Sequence, residues 1–171
     1  RTLHEKTVRR TAECTLPTGY GEFRLLAYQD TIDDAVHLAL VMGRIVSEEP
    51  TLVRVHVQDT LCDLTSSHRE DCGWPIGDAM RRIAEEGAGV VVILHQHEDA
   101  EELLARIQRY QETDAGIAHP HRGRTGNLRT YGLGAQILRD LGVRRMRVLS
   151  APKTMRGISG FDLEITEYVT D

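Results

Sequence analysis

GDAMRRIAEEGAGVVVILHQHEDAEELLARIQRYQE, residues 77–112, places a helix, a buried strand and a second helix in direct succession. Ile76, Met80 and Ile83 recur at helical spacing, with Pro75 near the start and Gly87 just past the end. That is the usual asymmetry of helix termini. AGVVVILHQ, 88–96, is a short continuous apolar run, the pattern of a strand buried on both faces. In the second helix Leu103, Leu104, Ile107 and Tyr110 share one side, and Asp and Glu fill the first turn, where the helix dipole favours them.

Upstream, TAECTLPTGYGEFRLLAYQD, 11–30, holds two strand-like runs joined through Pro17, Gly19 and Gly21. HLALVMGRI, 37–45, and TLVRVHVQD, 51–59, are rich in aliphatic and β-branched residues. The four runs together predict an antiparallel meander. Downstream, GIAHPHRGRTGN, 116–127, is a loop by its Gly and Pro content and its lack of apolar period. LRTYGLGAQILRDLGV, 128–143, is a helix stopping at Gly142, and RRMRVLS, 144–150, and FDLEITEYV, 161–169, are strands. Strands first, then alternating helices and strands, predict one α+β (mixed α/β) domain.

The 171 residues, 40% hydrophobic and 27% charged, suit a single globule with a proper core. A net charge of −5 argues against nucleic acid as a partner, since phosphate neutralisation needs clustered Lys and Arg. No apolar run is long enough to span a bilayer, so no membrane partner is expected. Three cysteines, Cys14, Cys62 and Cys72, do not suggest a disulfide framework, and a reducing, cytoplasmic setting is the expectation.

Chemistry-bearing residues concentrate in VRVHVQDTLCDLTSSHREDCGWPIG, 53–77. His56, Cys62, His68 and Cys72 lie among Asp59, Asp63, Glu70 and Asp71. Thiolate and imidazole donors brought together by short loops can hold zinc. The spacing is irregular, with neither C-x-x-C nor H-E-x-x-H, so a polar, turn-rich segment without metal is the other reading. SSHRED, 66–71, has Ser, His and Asp as chain neighbours, whereas triad members meet from separate elements. YGLGAQIL, 131–138, lacks the spacing of a phosphate loop. AHPHRGRTGNLR, 118–129, is a basic loop whose guanidinium forks could hold a phosphate, or which is simply solvated.

Taken in order, LPTGYGEFRLLAYQD, HLALVMGRI, VRVH, DCG, AMRRIAEEGAGVVVIL, RTYGLGAQILRDLGVRRMRVLS and LEITEYV resemble the GTP cyclohydrolase II family. These enzymes of riboflavin biosynthesis open the imidazole ring of GTP, releasing formate and pyrophosphate. The resemblance runs from Val8 to the C-terminus, which sets the domain at 8–171. RTLHEKTVRR, 1–10, resembles the connecting segment of fusions in which a 3,4-dihydroxy-2-butanone 4-phosphate synthase precedes the cyclohydrolase domain.

The family signature resembles R-V-H-S-E-C-L-T-G-D-x-F-G-S-x-R-C-D-C-G, with three zinc-binding cysteines. Arg54, Val55, His56, Asp63, Ser67, Arg69, Asp71, Cys72 and Gly73 match it without a gap. The ligand positions fall on Asp59, Glu70 and Cys72, so only the last keeps a thiol, and Cys62 stands where the family has Gly. The family's nucleotide segment, R-Q-E-G-R-G-I-G, reads HQHEDAEE here, with its glycines and arginines gone. Its D-x-R catalytic pair reads Asn127-Leu128-Arg129, and an amide cannot serve as the base. T-N-N-P-x-K is reduced to SAPKT with Pro152 and Lys153, while Tyr110 matches the active-site tyrosine.

The resemblance therefore implies a degenerate cyclohydrolase-like domain. Arg129, Asn127 and Tyr110 are vestigial catalytic positions, and Arg54 and Lys153 are the remaining nucleotide contacts. No cofactor is expected, or zinc if the loop has been rebuilt from Cys72, Glu70, Asp59 or His56. Such a domain would serve a fused synthase structurally or by regulation, as a homodimer, with a nucleotide or flavin as a compatible ligand. Two alternatives stand beside it: an active or divergent GTP cyclohydrolase II, and an oligomerisation module with no ligand.

Overall fold

The computed structural model of the chain describes residues 6–117, 128–150 and 162–170. Its strands are β1 (Val8–Thr18), β2 (Gly21–Asp30), β3 (Val36–Met42), β4 (Thr51–Val57), β5 (Gly89–Leu94), β6 (Arg145–Leu149) and β7 (Glu164–Val169). Its helices are α1 (Thr60–Thr65), α2 (Ile76–Glu86), α3 (Ala100–Asp114) and α4 (Leu128–Asp140), with a 3₁₀ turn at Glu70–Cys72.

All seven strands form one mixed sheet in the order β1-β2-β3-β5-β4-β6-β7. The antiparallel meander is three strands long rather than four. β5 lies between β3 and β4, antiparallel to the first and parallel to the second. The sequence of β5 explains the insertion: an unbroken apolar run is stable only where both faces are covered, at the centre of a sheet. Gly43 lets the chain leave β3 for the crossing to β4. It adopts φ +71°, and a Cβ there would meet the Gly87 carbonyl oxygen at 2.5 Å.

The sheet has helices on both sides. Val53, Val55, Val90, Val92 and Leu94 face α4, where Leu133, Ile137 and Leu138 cover them. Phe23, Leu40, Leu52 and Val91 face α2 and meet Ala79, Met80 and Ile83. At about 25 cal/mol per Å² of apolar surface, this two-sided burial is the main favourable contribution to the fold. The mixed α+β architecture expected from the sequence is present.

Helix α3 does not dock by its apolar residues. Leu104 and Ile107 are 55% and 43% exposed, and Arg106 is its one buried residue. Leu103, Arg106 and Tyr110 form the inward side, and a charge among them anchors the helix in place of an aliphatic stripe.

Candidate functional site

The loops following the carboxyl ends of parallel strands β4 and β5 lie side by side, the usual place for a site in a sheet of this kind. After β4, Asp59 caps α1 by accepting from the Cys62 amide at 2.9 Å. After β5, Asp99 caps α3 in a reciprocal box with Glu102: the Glu102 amide donates to Asp99 at 2.8 Å, and the Asp99 amide donates to Glu102 at 3.2 Å. Two of the free amides with which a helix start would grip an anion are thereby used internally.

Arg106 reaches from α3 into the loop that follows β4. Its Nη1 donates to Asp59 Oδ1 at 2.9 Å, and its Nη2 lies 2.8 Å from Asp59 Oδ2, a two-pronged fork. Nη2 is also 3.4 Å from Asp71 Oδ2 and 3.4 Å from Cys62 Sγ, and Nη1 is 3.6 Å from Glu98 Oε2. Nε donates to the Tyr110 hydroxyl at 3.0 Å, which itself donates to Asp71 Oδ2 at 2.6 Å. Arg106 is 2% exposed. Burial alone would discourage its charge, but the hydrogen bond and field of Asp59, joined by Tyr110, outweigh that and raise its pKa. Burial and the bond to Asp71 together push the Tyr110 phenol up. The Arg69 guanidinium covers the Tyr110 ring at 4.2 Å from the centroid.

Cys62 and Cys72 are joined by a disulfide that ties α1 to the 3₁₀ turn. The low cysteine count had suggested no disulfide. The pair forms because the loop folds back on itself over a separation of ten residues. Sγ of Cys62, Sγ of Cys72 and a carboxylate oxygen of Asp71 lie within 4.8 Å of one another, close enough to suggest a metal. The donor chemistry does not fit zinc. Zinc takes thiolates, and sulfurs bonded to each other offer none. A guanidinium also lies against Asp59, Asp71 and Cys62 Sγ, where its charge opposes a second cation. Glu70, which the resemblance aligns with a ligand position, is exposed and lies outside this cluster.

His56 is not turned toward that cluster. Arg54 Nη2 lies 3.1 Å from its Nδ1, and its Nε2 lies 2.8 Å from Asp63 Oδ1. Because a guanidinium only donates, Nδ1 accepts and Nε2 donates to the carboxylate. Burial works against ionising Asp63, but the bonds from His56 and from the Asp59 amide prevail and hold its pKa below the ordinary value. Arg54 also donates to the Leu149 carbonyl at 3.3 Å and the Trp74 carbonyl at 3.2 Å. Burial lowers its guanidinium to about 10. Gly73 passes close by, at φ +63°.

Arg129, at the start of α4, ion-pairs with Asp30 and lies 3.7 Å from Asp33, at the turn between β2 and β3. The structure therefore brings Tyr110, Asp59 and Cys72 together around Arg106, and places Arg54 and Arg129 in separate polar clusters. Asn127 and Lys153 lie outside the described residues, as does the basic loop 118–127. Arg106 and the Cys62 bond escaped the reading of the sequence, which took Glu98 only as one of the carboxylates of HQHEDAEE. The available signal was an arginine four residues before Tyr110 on the inward side of α3.

A model of the family described as GTP cyclohydrolase II matches residues 9–170. The chain belongs to the GTP cyclohydrolase II family. It is 45% identical over 169 residues to a Pseudomonas aeruginosa protein described as 3,4-dihydroxy-2-butanone 4-phosphate synthase, covering 99% of this chain and 45% of that protein. It is 44% identical over 169 residues to the riboflavin biosynthesis protein RibBA of Chlorobium phaeovibrioides, covering 96% of this chain and 41% of that one. Among solved structures it matches RibBX of A. baumannii, described as a two-domain 3,4-dihydroxy-2-butanone 4-phosphate synthase. The TM-score is 0.65 at 33% identity, over 99% of this chain and 42% of that one. The chain thus spans less than half the length of these relatives. The disulfide lies in the segment that follows β4, and the Arg106 guanidinium reaches into it from α3.

Proposed function

We propose that this domain has given up the zinc-dependent chemistry of its family and serves a 3,4-dihydroxy-2-butanone 4-phosphate synthase, fused or associated, as a structural or regulatory partner. One observation carries the reading: the Arg106 guanidinium lies against Asp59, a former ligand position, while Cys72 is committed to a disulfide. A metal-activated water needs an open coordination position on a bound ion, and these donors are engaged elsewhere. The carboxylates that open α3 repel a triphosphate rather than cradle it. Relatives described as 3,4-dihydroxy-2-butanone 4-phosphate synthase support the choice of partner.

The domain acts as a homodimer in the cytoplasm on this reading. Arg54, with no carboxylate in direct contact among the described residues, is the group that would meet a nucleotide or flavin phosphate. A ligand selective for the native state raises the melting temperature, which separates this reading from a ligand-free oligomerisation module. The full-length chain carrying both domains is the material to test. Expected are no retained zinc, no turnover of GTP, and lower synthase activity once residues 1–171 are removed. Unchanged synthase activity and oligomeric state after removal would sink the supporting role. About one zinc per chain together with GTP turnover would instead establish an active or divergent cyclohydrolase. The close approach of Cys62, Asp71 and Cys72 is the feature that favours that second reading.

A further inference from the structure

The chain enters the sheet through a polar clamp that lies outside the Arg106 cluster. Gln136, on α4, accepts from the Thr7 amide at 2.7 Å and the Val8 amide at 3.3 Å, and its Nε2 donates to Thr7 Oγ1 at 3.3 Å. From the other side the Thr31 amide and hydroxyl donate to the Thr7 carbonyl at 2.8 and 2.9 Å. Thr7 is buried, and Val8 pairs with Asp30 at the start of β1. Asp140, one turn further along α4, accepts from Lys6 at 3.1 Å and from Arg10 at 2.8 Å. A flexible linker is rich in Gly and Ser and makes no such attachments. Residues 6–10 are fastened to α4 and to the turn between β2 and β3, so the direction in which the chain arrives is set.

That direction leads to the turn itself. The Ile32 amide donates to Asp30 Oδ1 and the Ala35 amide to Asp33 Oδ1, each at 3.0 Å, and the Asp30 amide donates to the Ala35 carbonyl at 2.8 Å. Aspartates thus supply what the turn needs. Ile32 and Val36 are nevertheless exposed, at 54% and 44%, and Asp33 and Asp34 lie exposed between them. Apolar side chains among charged ones at a surface have the make-up of an interface. Residues 1–5, even fully extended, reach at most about 18 Å, so a domain joined through them lies within that distance of Lys6, next to the clamp.

We propose that the turn between β2 and β3 is the seat of the synthase domain: Ile32 and Val36 pack against it, and the Thr7 clamp fixes its approach, with Gln136 as the positioning residue. This rests on the reading proposed above, with the synthase joined ahead of Arg1. The acidic pair Asp33 and Asp34 calls for basic groups on the facing surface. Arg129, in the first turn of α4, ion-pairs with Asp30 in the same turn, so the seat is tied to the start of α4 as well as to its middle.

The full-length chain carrying both domains is the material to test, with Cys14→Ser removing the exposed free thiol of this domain. A cysteine is placed either at Ile32→Cys or at Tyr20→Cys, the latter in the hairpin at the other end of β2, and its reaction with a maleimide is followed by peptide mass spectrometry. Within this domain Ile32 is the more exposed of the two, at 54% against 37%. The synthase is expected to cover it, so that Ile32→Cys reacts about tenfold more slowly than Tyr20→Cys. Equal rates, or faster reaction at Ile32→Cys, would overturn the seat; synthase activity that still falls on removal of residues 1–171 would show that the supporting role survives it. Zero-length carbodiimide cross-linking of the parent is expected to join Asp33 or Asp34 to a lysine of the synthase domain. Links from these two found only within residues 1–171 would overturn the choice of occupant. Gln136→Ala frees Thr7 and is expected to narrow the difference in rate about threefold. An unchanged ratio overturns the part given to the clamp, since a contact that merely pins β1 does not move it.

Discussion

Two inward-turned arginines, Arg54 on β4 and Arg106 on α3, have surroundings that differ in kind. Arg106 meets Asp59, Asp71 and Glu98. Arg54 meets two carbonyls and an imidazole, with Asp63 reached only through His56. The first has its pKa raised and the second is lowered to about 10. The contrast separates two uses of a buried charge. Arg106 is an internal cation whose counter-charges the chain itself supplies. Arg54 has a positive charge that its contacts do not neutralise, the condition in which an anionic ligand gains most.

Arg106→Met tests the first half of that contrast and should have the largest effect. It leaves the buried Asp59 and the largely buried Asp71 without their common cation, a change that costs about 3–5 kcal/mol when one partner of a buried pair is removed. Urea unfolding of the variant beside the parent measures it. A loss below about 1 kcal/mol would mean that the carboxylates find water or protonate, and that the cluster is a surface network in energetic terms. Next in size is the disulfide. Cys62→Ser with Cys72→Ser releases a loop closed over ten residues, worth about 2–3 kcal/mol through the unfolded chain. Unfolding with and without reductant should show the same decrement, and no decrement would place the loop's stability in the Arg106 contacts alone.

The fold was legible because its decisive signal is local. The run of 88–96 reads best as a buried strand, and β5 is central, with Val90 and Val92 facing α4 and Val91 facing α2. The resemblance placed Asp59 and Cys72 at former ligand positions, and both contribute to the Arg106 cluster. What fills that loop was not legible. Helical periodicity marks Leu103, Leu104, Ile107 and Tyr110 as one side and gives no weight to a charged residue between them. Whether an arginine on such a face turns in or out depends on carboxylates 35 to 47 residues away in the chain, such as Asp71 and Asp59. Pattern within one element holds no information on that pairing. The disulfide was missed for the related reason that a cysteine count does not report which thiols a loop brings together.

Arg54→Met tests the other half of the comparison. Removing a half-buried cation that lacks a direct carboxylate partner gives up three hydrogen bonds. It also relieves the burial that lowers its pKa. The expected net change is within about 1 kcal/mol, far smaller than for Arg106→Met under the same conditions. Any thermal shift given by a nucleotide or flavin should disappear with it. A cost equal to that of Arg106→Met would erase the distinction between the two residues.

The smallest effect expected is one of pH, and it arises at the same end of the sheet. His37 is 3% exposed. Its Nδ1 accepts from the His95 amide at 2.9 Å, and its Nε2 has no partner among the described residues. Burial lowers its pKa below the ordinary 6.5, even though Asp30 and Asp33 favour the charged ring, with His95 and Arg129 opposing it. The unfolded chain therefore takes a proton that the native state refuses. Its contribution to stability is fully present above 6.5 and is lost as pH falls from there toward the native value. His37→Asn keeps an acceptor for the His95 amide and cannot titrate, so the melting temperature should fall less between about pH 7 and about pH 5. Asp63 works in a lower window: its contribution is present above its ordinary 3.8 and fades as pH drops below that toward its depressed native value. A variant that flattens the first window and leaves the second intact assigns them to His37 and to the Asp63–His56–Arg54 chain respectively. If neither arm changes, His37 finds a proton acceptor on acidification, and Asp30, freed from Arg129, is the carboxylate placed to supply it.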